Sequence, residues 1–246
     1  MNTIDNSPRF NNVLADEYDL LKMAIPHYDT VEGEVGKAVV SHFSGSSRHL
    51  IQVLEIGPGS GITTKVLLDC DPRTSLVAVD NEEKMLKQVR DRVTGWGADS
   101  RVSLVNREIG RYLASIPNCS FDVVASAFVL HNLEYRYREE IIRQIHRVLV
   151  PGGLFVNADK YALDDQRKRA EAYQEQIRRY DVYDSIGRPD YKAEWIEHYK
   201  TDEQPHIVFV EGLAKAHMRE VGFLEVATVY RELMEAVVIG KKADKL

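Results

Sequence analysis

Three groups of residues in this chain have the types and spacing for chemistry on a nucleoside. Glu55-Ile-Gly-Pro-Gly-Ser-Gly61 sets three glycines at alternate positions behind an acid. Glycine lets the backbone approach a ligand closely, and a helix that begins behind such a turn offers free N–H groups to an anionic group. Asp80 stands 19 residues beyond Gly61, where an acidic residue would grip a ribose diol. Glu108-Ile109 offers an acid for an exocyclic amine and an apolar surface for a purine. The G-x-G-x-G of Gly57, Gly59 and Gly61 differs from the G-x-G-x-x-G that suits a pyrophosphate. No Gly-Lys-Ser/Thr marks a P-loop. A nucleoside with a carboxylate tail and no phosphate fits better.

These groups converge only if each ends a strand of one parallel sheet, and the pattern supplies such strands. Residues 49–56, 75–79, 101–105, 121–126 and 154–158 are short apolar runs. Between them lie helical periods, about Ile62 to Leu68, Glu82 to Val93, and Arg136 to Leu149, the last stopped by Pro151-Gly-Gly153. After a helix over Lys215 to Val221 come two more strands, about Leu224 to Tyr230 and Glu235 to Gly240. Their four-residue link is too short for a crossover, so they should pair antiparallel. The expected fold is α/β: a Rossmann-like, mostly parallel seven-stranded sheet with helices on both faces, an antiparallel final strand and helical lid segments. In such sheets a ligand lies beyond the carboxyl ends of the strands.

Composition narrows the function classes. The 246 residues suit one α/β domain or two small ones, and 44% hydrophobic with 28% charged is ordinary for a soluble globular chain. No run approaches the roughly 18 apolar residues of a membrane span, and no secretory signal is visible at the N-terminus. Cys70 and Cys119 form neither a metal spacing nor a disulfide framework, so the expected setting is cytoplasmic, with no metal. A net charge of −6 lacks the usual electrostatic footprint of a nucleic-acid partner.

At the motif level the chain resembles a known family. Val53-Leu-Glu-Ile-Gly-Pro-Gly-Ser-Gly61, Ala78-Val-Asp80, Phe121-Asp-Val-Val-Ala-Ser126 with Leu130-His-Asn-Leu133, and Arg147-Val-Leu-Val-Pro-Gly-Gly153 look like the successive motifs of class I S-adenosylmethionine-dependent methyltransferases of the small-molecule type. The resemblance runs from about Leu50 to Asp159, resumes in the final strand pair, and is specific for the family but not for the substrate. It implies S-adenosyl-L-methionine as cofactor and S-adenosyl-L-homocysteine as product. Glu55, Gly57, Gly59 and Gly61 should border the methionine part. Asp80 should bind the ribose hydroxyls with Asn81 and Met85 nearby, Glu108 and Ile109 should flank the adenine, and Ser126 and Ala127 should lie under the sulfonium. The third-strand motif more often carries Asp than Glu, so the register at Glu108 could be off by one. Phe10 to Asp19 looks like an N-terminal lid element, with Tyr18 over the cofactor.

Methyl transfer from a sulfonium is an in-line displacement that proximity in a dry site can accelerate, with a base needed only if the nucleophile must lose a proton early. His131 and His27 are candidates for that base. His131 could equally serve a structural or capping role. Tyr28, Asp159, Tyr161, Tyr191 and Trp195 are candidate substrate contacts, though Asp159-Lys160 could be a plain salt bridge. The expected organisation is a single methyltransferase domain. Residues 48–160 and 207–246 form the cofactor-binding core, 1–47 an N-terminal lid and 161–206 a helical, substrate-covering insertion. The two added segments are acidic, at −4 and −3, and hold eight of the twelve tyrosines, which suits a compact ring-containing acceptor. Two alternatives stay open: a tRNA-modifying transferase using Arg167-Lys-Arg169 and Arg178-Arg179, or a non-catalytic module that binds the cofactor.

Overall fold

The structure, a computed structural model, describes residues 20–244. Strands β1 (Ile51–Ile56), β2 (Thr74–Asp80), β3 (Val102–Asn106), β4 (Phe121–Ala127), β5 (Leu149–Lys160), β6 (Phe223–Glu232) and β7 (Glu235–Lys242) form one sheet in the order β3-β2-β1-β4-β5-β7-β6. Neighbours from β3 through β5 pair in parallel, and β7 runs antiparallel to both β5 and β6. The expected mostly parallel sheet, with its antiparallel last strand, is present.

Side-chain alternation divides the apolar residues into two layers, as a sheet covered on both faces requires. Ile51 and Val53 of β1 join one layer, and Leu54 and Ile56 join the other. In β4, Val123 and Ala125 oppose Val124 in the same way. The first layer is covered by α2 (Tyr28–Phe43), which follows the short α1 (Leu21–Ala24), and by α3 (Ile62–Cys70) and α4 (Glu83–Gly95). The second is covered by α5 (Ile109–Ser115), α6 (Tyr135–Val148) and α10 (Glu211–Val221). The α6 stripe of Ile141, Ile142, Ile145 and Val148 is buried, each side chain contributing roughly 1.5–3 kcal/mol. Between β5 and α10, the helices α7 (Gln166–Arg179), α8 (Val182–Ser185) and α9 (Pro189–Asp202) pack Ala172, Tyr183, Tyr191, Trp195 and Tyr199 onto the first layer.

Three boundaries depart from the sequence pattern for identifiable reasons. Helix α5 was not expected. Its seven residues are too few to show a period, and it is held at its start by Glu108, whose carboxylate accepts from the N–H groups of Gly110 and Arg111. Helix α10 begins at Glu211, before the expected Lys215. Pro151-Gly-Gly153 does not lie in a loop: β5 starts at Leu149 and passes through it, with Gly152 at φ 73° and a register shift against β4 between Phe121 and Val123.

Gly153 sits where a Cβ would meet Val150 O at 2.9 Å and Asp122 O at 3.1 Å. Both are backbone atoms and cannot turn aside. Gly153→Ala is expected to destabilise the fold by about 1–3 kcal/mol, read as a lowered urea midpoint with an unchanged slope.

Candidate functional site

The strand order reverses between β1 and β4, and a cavity of about 440 Å³ opens there beyond the strand ends. Its floor is the glycine turn. Gly57, Gly59 and Gly61 have φ of 65°, 53° and 91°, conformations that favour glycine. A Cβ on Gly57 would lie 2.4 Å from Val129 Cγ2, whereas one on Gly59 would meet nothing within 4 Å. Gly59 therefore presents open space to a ligand, while Gly57 lets the β4 loop close down on the turn.

Acids surround this floor. Glu32, Asp80, Glu82, Glu108 and Glu134 line the cavity, against Arg107 as its single lysine or arginine among the described residues. Glu32 projects from α2 one turn after Tyr28, accepts from Thr63 Oγ1 at 2.7 Å, and is pushed up to about 7 by burial. Glu55, beneath the glycine turn, accepts from Thr64 Oγ1 at 2.7 Å and is pushed up to about 8, again by burial. Its Oε1 has no hydrogen-bond partner among the described residues. Asp80 accepts from Glu82 N at 2.9 Å and is raised to about 6 by burial. All three carboxyls resist ionisation chiefly because burial strips water from their charged form.

Asn81, Met85, Ile109 and Ala127 line the cavity with Asp80 and Glu108. Ser126 lies below it, fully buried, its hydroxyl donating to Ile56 O at 3.3 Å. Tyr28 forms a wall by stacking on Phe128 at 5.1 Å. Tyr18 lies outside the described residues.

Behind Phe128 is a second cavity of about 30 Å³, lined by His131, Lys160, Trp195, His198, Asp202 and Glu235 among others. His131 Nδ1 is 2.5 Å from Asp159 Oδ1, and the His131 N–H donates to Asp159 Oδ2 at 3.2 Å. His27 Nε2 lies 3.2 Å from Glu235 Oε2. Lys160 does not pair with Asp159, its neighbour in sequence. Its Nζ is 3.4 Å from Asp202 Oδ2 and 3.1 Å from Glu203 Oε1. Trp195 borders this small cavity, but Tyr161 and Tyr191 border neither: Tyr161 stacks on Phe209, and Tyr191 packs edge-on against Tyr183.

Sequence reasoning did not single out Glu32, Phe128, Thr201 and His206 in the large cavity, nor His198 and Asp202 in the small one. Two of these carry a local signal, since Glu32 follows Tyr28, and Asp202 follows His198, by one helical turn.

The strand order with its reversed β7, and a ligand cavity at the β1/β4 switch point, define the class I methyltransferase fold. Residues 53–153 match the family model described as a methyltransferase domain. The carboxy-S-adenosyl-L-methionine synthase of Hydrogenovibrio crunogenus is 24% identical over 67% of this chain and 68% of that protein. That of Pseudoalteromonas atlantica is 24% identical over 62% of this chain and 60% of that protein. An O-methyltransferase family protein from Burkholderia thailandensis superposes with a TM-score of 0.67 and 16% identity, over 97% of this chain and 63% of that one. The chain thus spans about three fifths to two thirds of the length of these proteins. Its fold is that of the class I methyltransferases, and the methyltransferase-domain match spans the glycine turn through Gly153.

The cavity residues fit S-adenosylmethionine. Its sulfonium and α-ammonium are cations, and the cavity offers acids that lack counter-charge. Because Glu32 and Glu55 are raised to about 7 and 8, they are largely protonated at pH 6 and bind a cation best once ionised. Affinity for S-adenosylmethionine should therefore rise about tenfold from pH 6 to 7.5, below the range where the ligand's own amine deprotonates. Calorimetry in buffers of different ionisation enthalpy should detect proton release on binding, reduced in Glu32→Gln. Asp80→Ala should weaken binding about 10- to 100-fold, the loss of a charge-assisted hydrogen bond; unchanged affinity would remove Asp80 from the site.

Proposed function

We propose that this protein is a methyltransferase that moves the methyl group of S-adenosylmethionine to a small, aromatic or heterocyclic acceptor. The observation that carries this reading is the make-up of the 440 Å³ cavity: five acids and one arginine around a glycine turn, closed on one side by the Tyr28–Phe128 stack. Acids around a dry site favour a sulfonium and disfavour a polyphosphate. The volume suits a small-molecule site rather than a nucleic-acid groove.

The bound cofactor supplies an electrophilic methyl on sulfur. Glu32, Glu55 and the glycine turn hold the amino-acid end, Asp80 holds the ribose, and Glu108 with Ile109 faces the base. Tyr28 and Phe128 exclude water from the transfer, so that proximity and desolvation lower the barrier. The acceptor enters on the side lined by Asn132, Leu133, Thr201, His206 and Ile207, beneath the acidic, tyrosine-rich segment 161–206. For an acceptor that must lose a proton, His131 is the candidate group. Asp159 fixes its Nδ1, which leaves Nε2 directed at the small cavity that shares Phe128 with the large one. His27 is tied to Glu235 and lines neither cavity, so it ranks behind His131.

The tRNA-modifying reading loses its basic surface. Arg167 pairs with Glu171, Arg178 and Arg179 pair with Glu175, and Arg169 pairs with Glu203. A reaction that carries a carboxylate on the transferred group needs a cation near it, and only Arg107, beside Glu108, is a lysine or arginine lining the cavity among the described residues.

In an assay that follows S-adenosylhomocysteine across a panel of small phenols, thiols and heterocyclic amines, at least one acceptor should turn over. With it, His131→Ala should lower kcat at least about tenfold while the affinity for S-adenosylmethionine stays within about twofold. Equal turnover by His131→Ala would remove this residue from the reaction, and transfer to RNA alone would overturn the small-acceptor reading.

A further inference from the structure

Around the 30 Å³ cavity, carboxylates outnumber permanent cations. Asp159, Asp202 and Glu235 are buried and Glu203 is part-buried. Lys160 reaches Asp202 and Glu203, and Arg169 donates to Glu203 from Nε and Nη2 at 2.9 and 2.6 Å. Arg138, whose guanidinium donates to the carbonyls of Ile207 and Val208, attracts Asp159 and Asp202 only at longer range. Imidazoles stand beside them too: His131 on Asp159, His27 on Glu235, and His131 and His198 facing Asp202; Asp159 also accepts from Asn157 Nδ2 at 3.1 Å and Lys160 N at 3.0 Å. Protons on the imidazoles or a metal cation would add positive charge to this acidic cluster.

The geometry around Asp202 favours the metal. His131 Nε2 and His198 Nε2 approach the same oxygen, Asp202 Oδ2, at 3.8 and 3.9 Å. Both separations lie beyond a hydrogen bond but within ion-pair reach. They match donors arranged around a shared centre. The three ligand atoms lie within 4.8 Å of one another, so a point equidistant from them is at most about 2.5 Å from each. A contraction of about half an ångström reaches the distances of a zinc site. The two rings stand at 86° to each other. His131 also has the outer support of a metal-binding histidine, its second nitrogen held by a buried carboxylate, Asp159, at 2.5 Å.

We propose that His131 Nε2, His198 Nε2 and Asp202 form a binding site for a divalent transition-metal ion of the zinc class, beside Phe128. Two nitrogens and one oxygen suit zinc, cobalt or iron better than magnesium or calcium. A fourth position would face the small cavity, open to water or to an acceptor heteroatom. With the ion bound, His131 is a ligand rather than a base, and the ion lowers the pKa of whatever occupies that fourth position. Lys160, 3.4 Å from the same Asp202 oxygen, opposes the ion and keeps its affinity moderate. The site stands whatever acceptor is methylated, since it rests on the donor geometry alone.

The test is metal binding by untagged, chelator-treated protein, with folding checked by circular dichroism. Titration with Co²⁺ should give the visible d–d absorption of a tetrahedral or five-coordinate site, saturating at one equivalent. Zn²⁺ should abolish it by competition. His198→Ala and Asp202→Asn should each weaken Co²⁺ binding at least about a hundredfold, and Lys160→Met should tighten it about tenfold. His217→Ala, on α10 and against Glu139, should bind as the unaltered protein does. Folded protein that shows no d–d absorption at millimolar Co²⁺ overturns the proposal, as does a folded His198→Ala that binds as tightly as the parent. A bound metal would reassign His131 from base to ligand but leave the methyltransferase reading standing, and methyl transfer is measured separately.

Discussion

A carboxylate leaves water only if a proton or a cation accompanies it, and this chain withdraws seven of them around two adjoining cavities. Glu32, Glu55 and Asp80 gather at the glycine turn with few cations near them, and burial raises all three. Asp159, Asp202, Glu203 and Glu235 gather behind Phe128 with imidazoles, Lys160 and Arg169 as partners. The first group suits a ligand that brings its own positive charges and makes no use of a phosphate. The second group has Lys160, Arg169 and imidazoles beside it, and two of its histidines converge on Asp202. Electrostatics thus separates the two cavities into one for a cationic ligand and one built around imidazole donors.

Phe128 holds the two apart. It adopts φ 55°, a left-handed conformation unusual for a side chain with a Cβ, and such strain costs about 1–3 kcal/mol. The surroundings fix it there: its N–H donates to Ala158 O at 2.8 Å, and its ring stacks on Tyr28 from α2. Phe128 lines both cavities. The same contact ties α2, and with it Glu32, to the sheet. One strained residue therefore links the wall of the large cavity to the position of an acid in it.

Much of this arrangement was legible in the chain because it depends on local patterns. Strand alternation, the G-x-G-x-G spacing, and an acid at the end of β2 are each contained in a few consecutive residues. The antiparallel β7 followed from a link too short to cross over. What could not be read depends on contacts between distant segments. Glu32 enters the site from a helix 23 residues before Glu55, and only its neighbour Tyr28, a candidate substrate contact, hints at that helix. Asp159 and Lys160 look like a pair in sequence, yet strand alternation sends them apart, one to His131 and the other to Asp202 and Glu203. The tyrosines of segment 161–206 mark a cover, but Tyr161, Tyr183 and Tyr191 are used up in packing that cover onto the sheet. Composition cannot distinguish an aromatic that packs from one that faces a ligand.

The central claim is that the acid-rich cavity at the β1/β4 switch point holds a sulfonium nucleoside. Mass spectrometry of the small molecule released from freshly purified protein tests it most directly. The account predicts S-adenosylmethionine or S-adenosylhomocysteine, lost from a Gly59→Val variant that fills the open side of the turn. A nicotinamide dinucleotide or nucleoside triphosphate recovered instead, and bound in preference to S-adenosylmethionine, would contradict it.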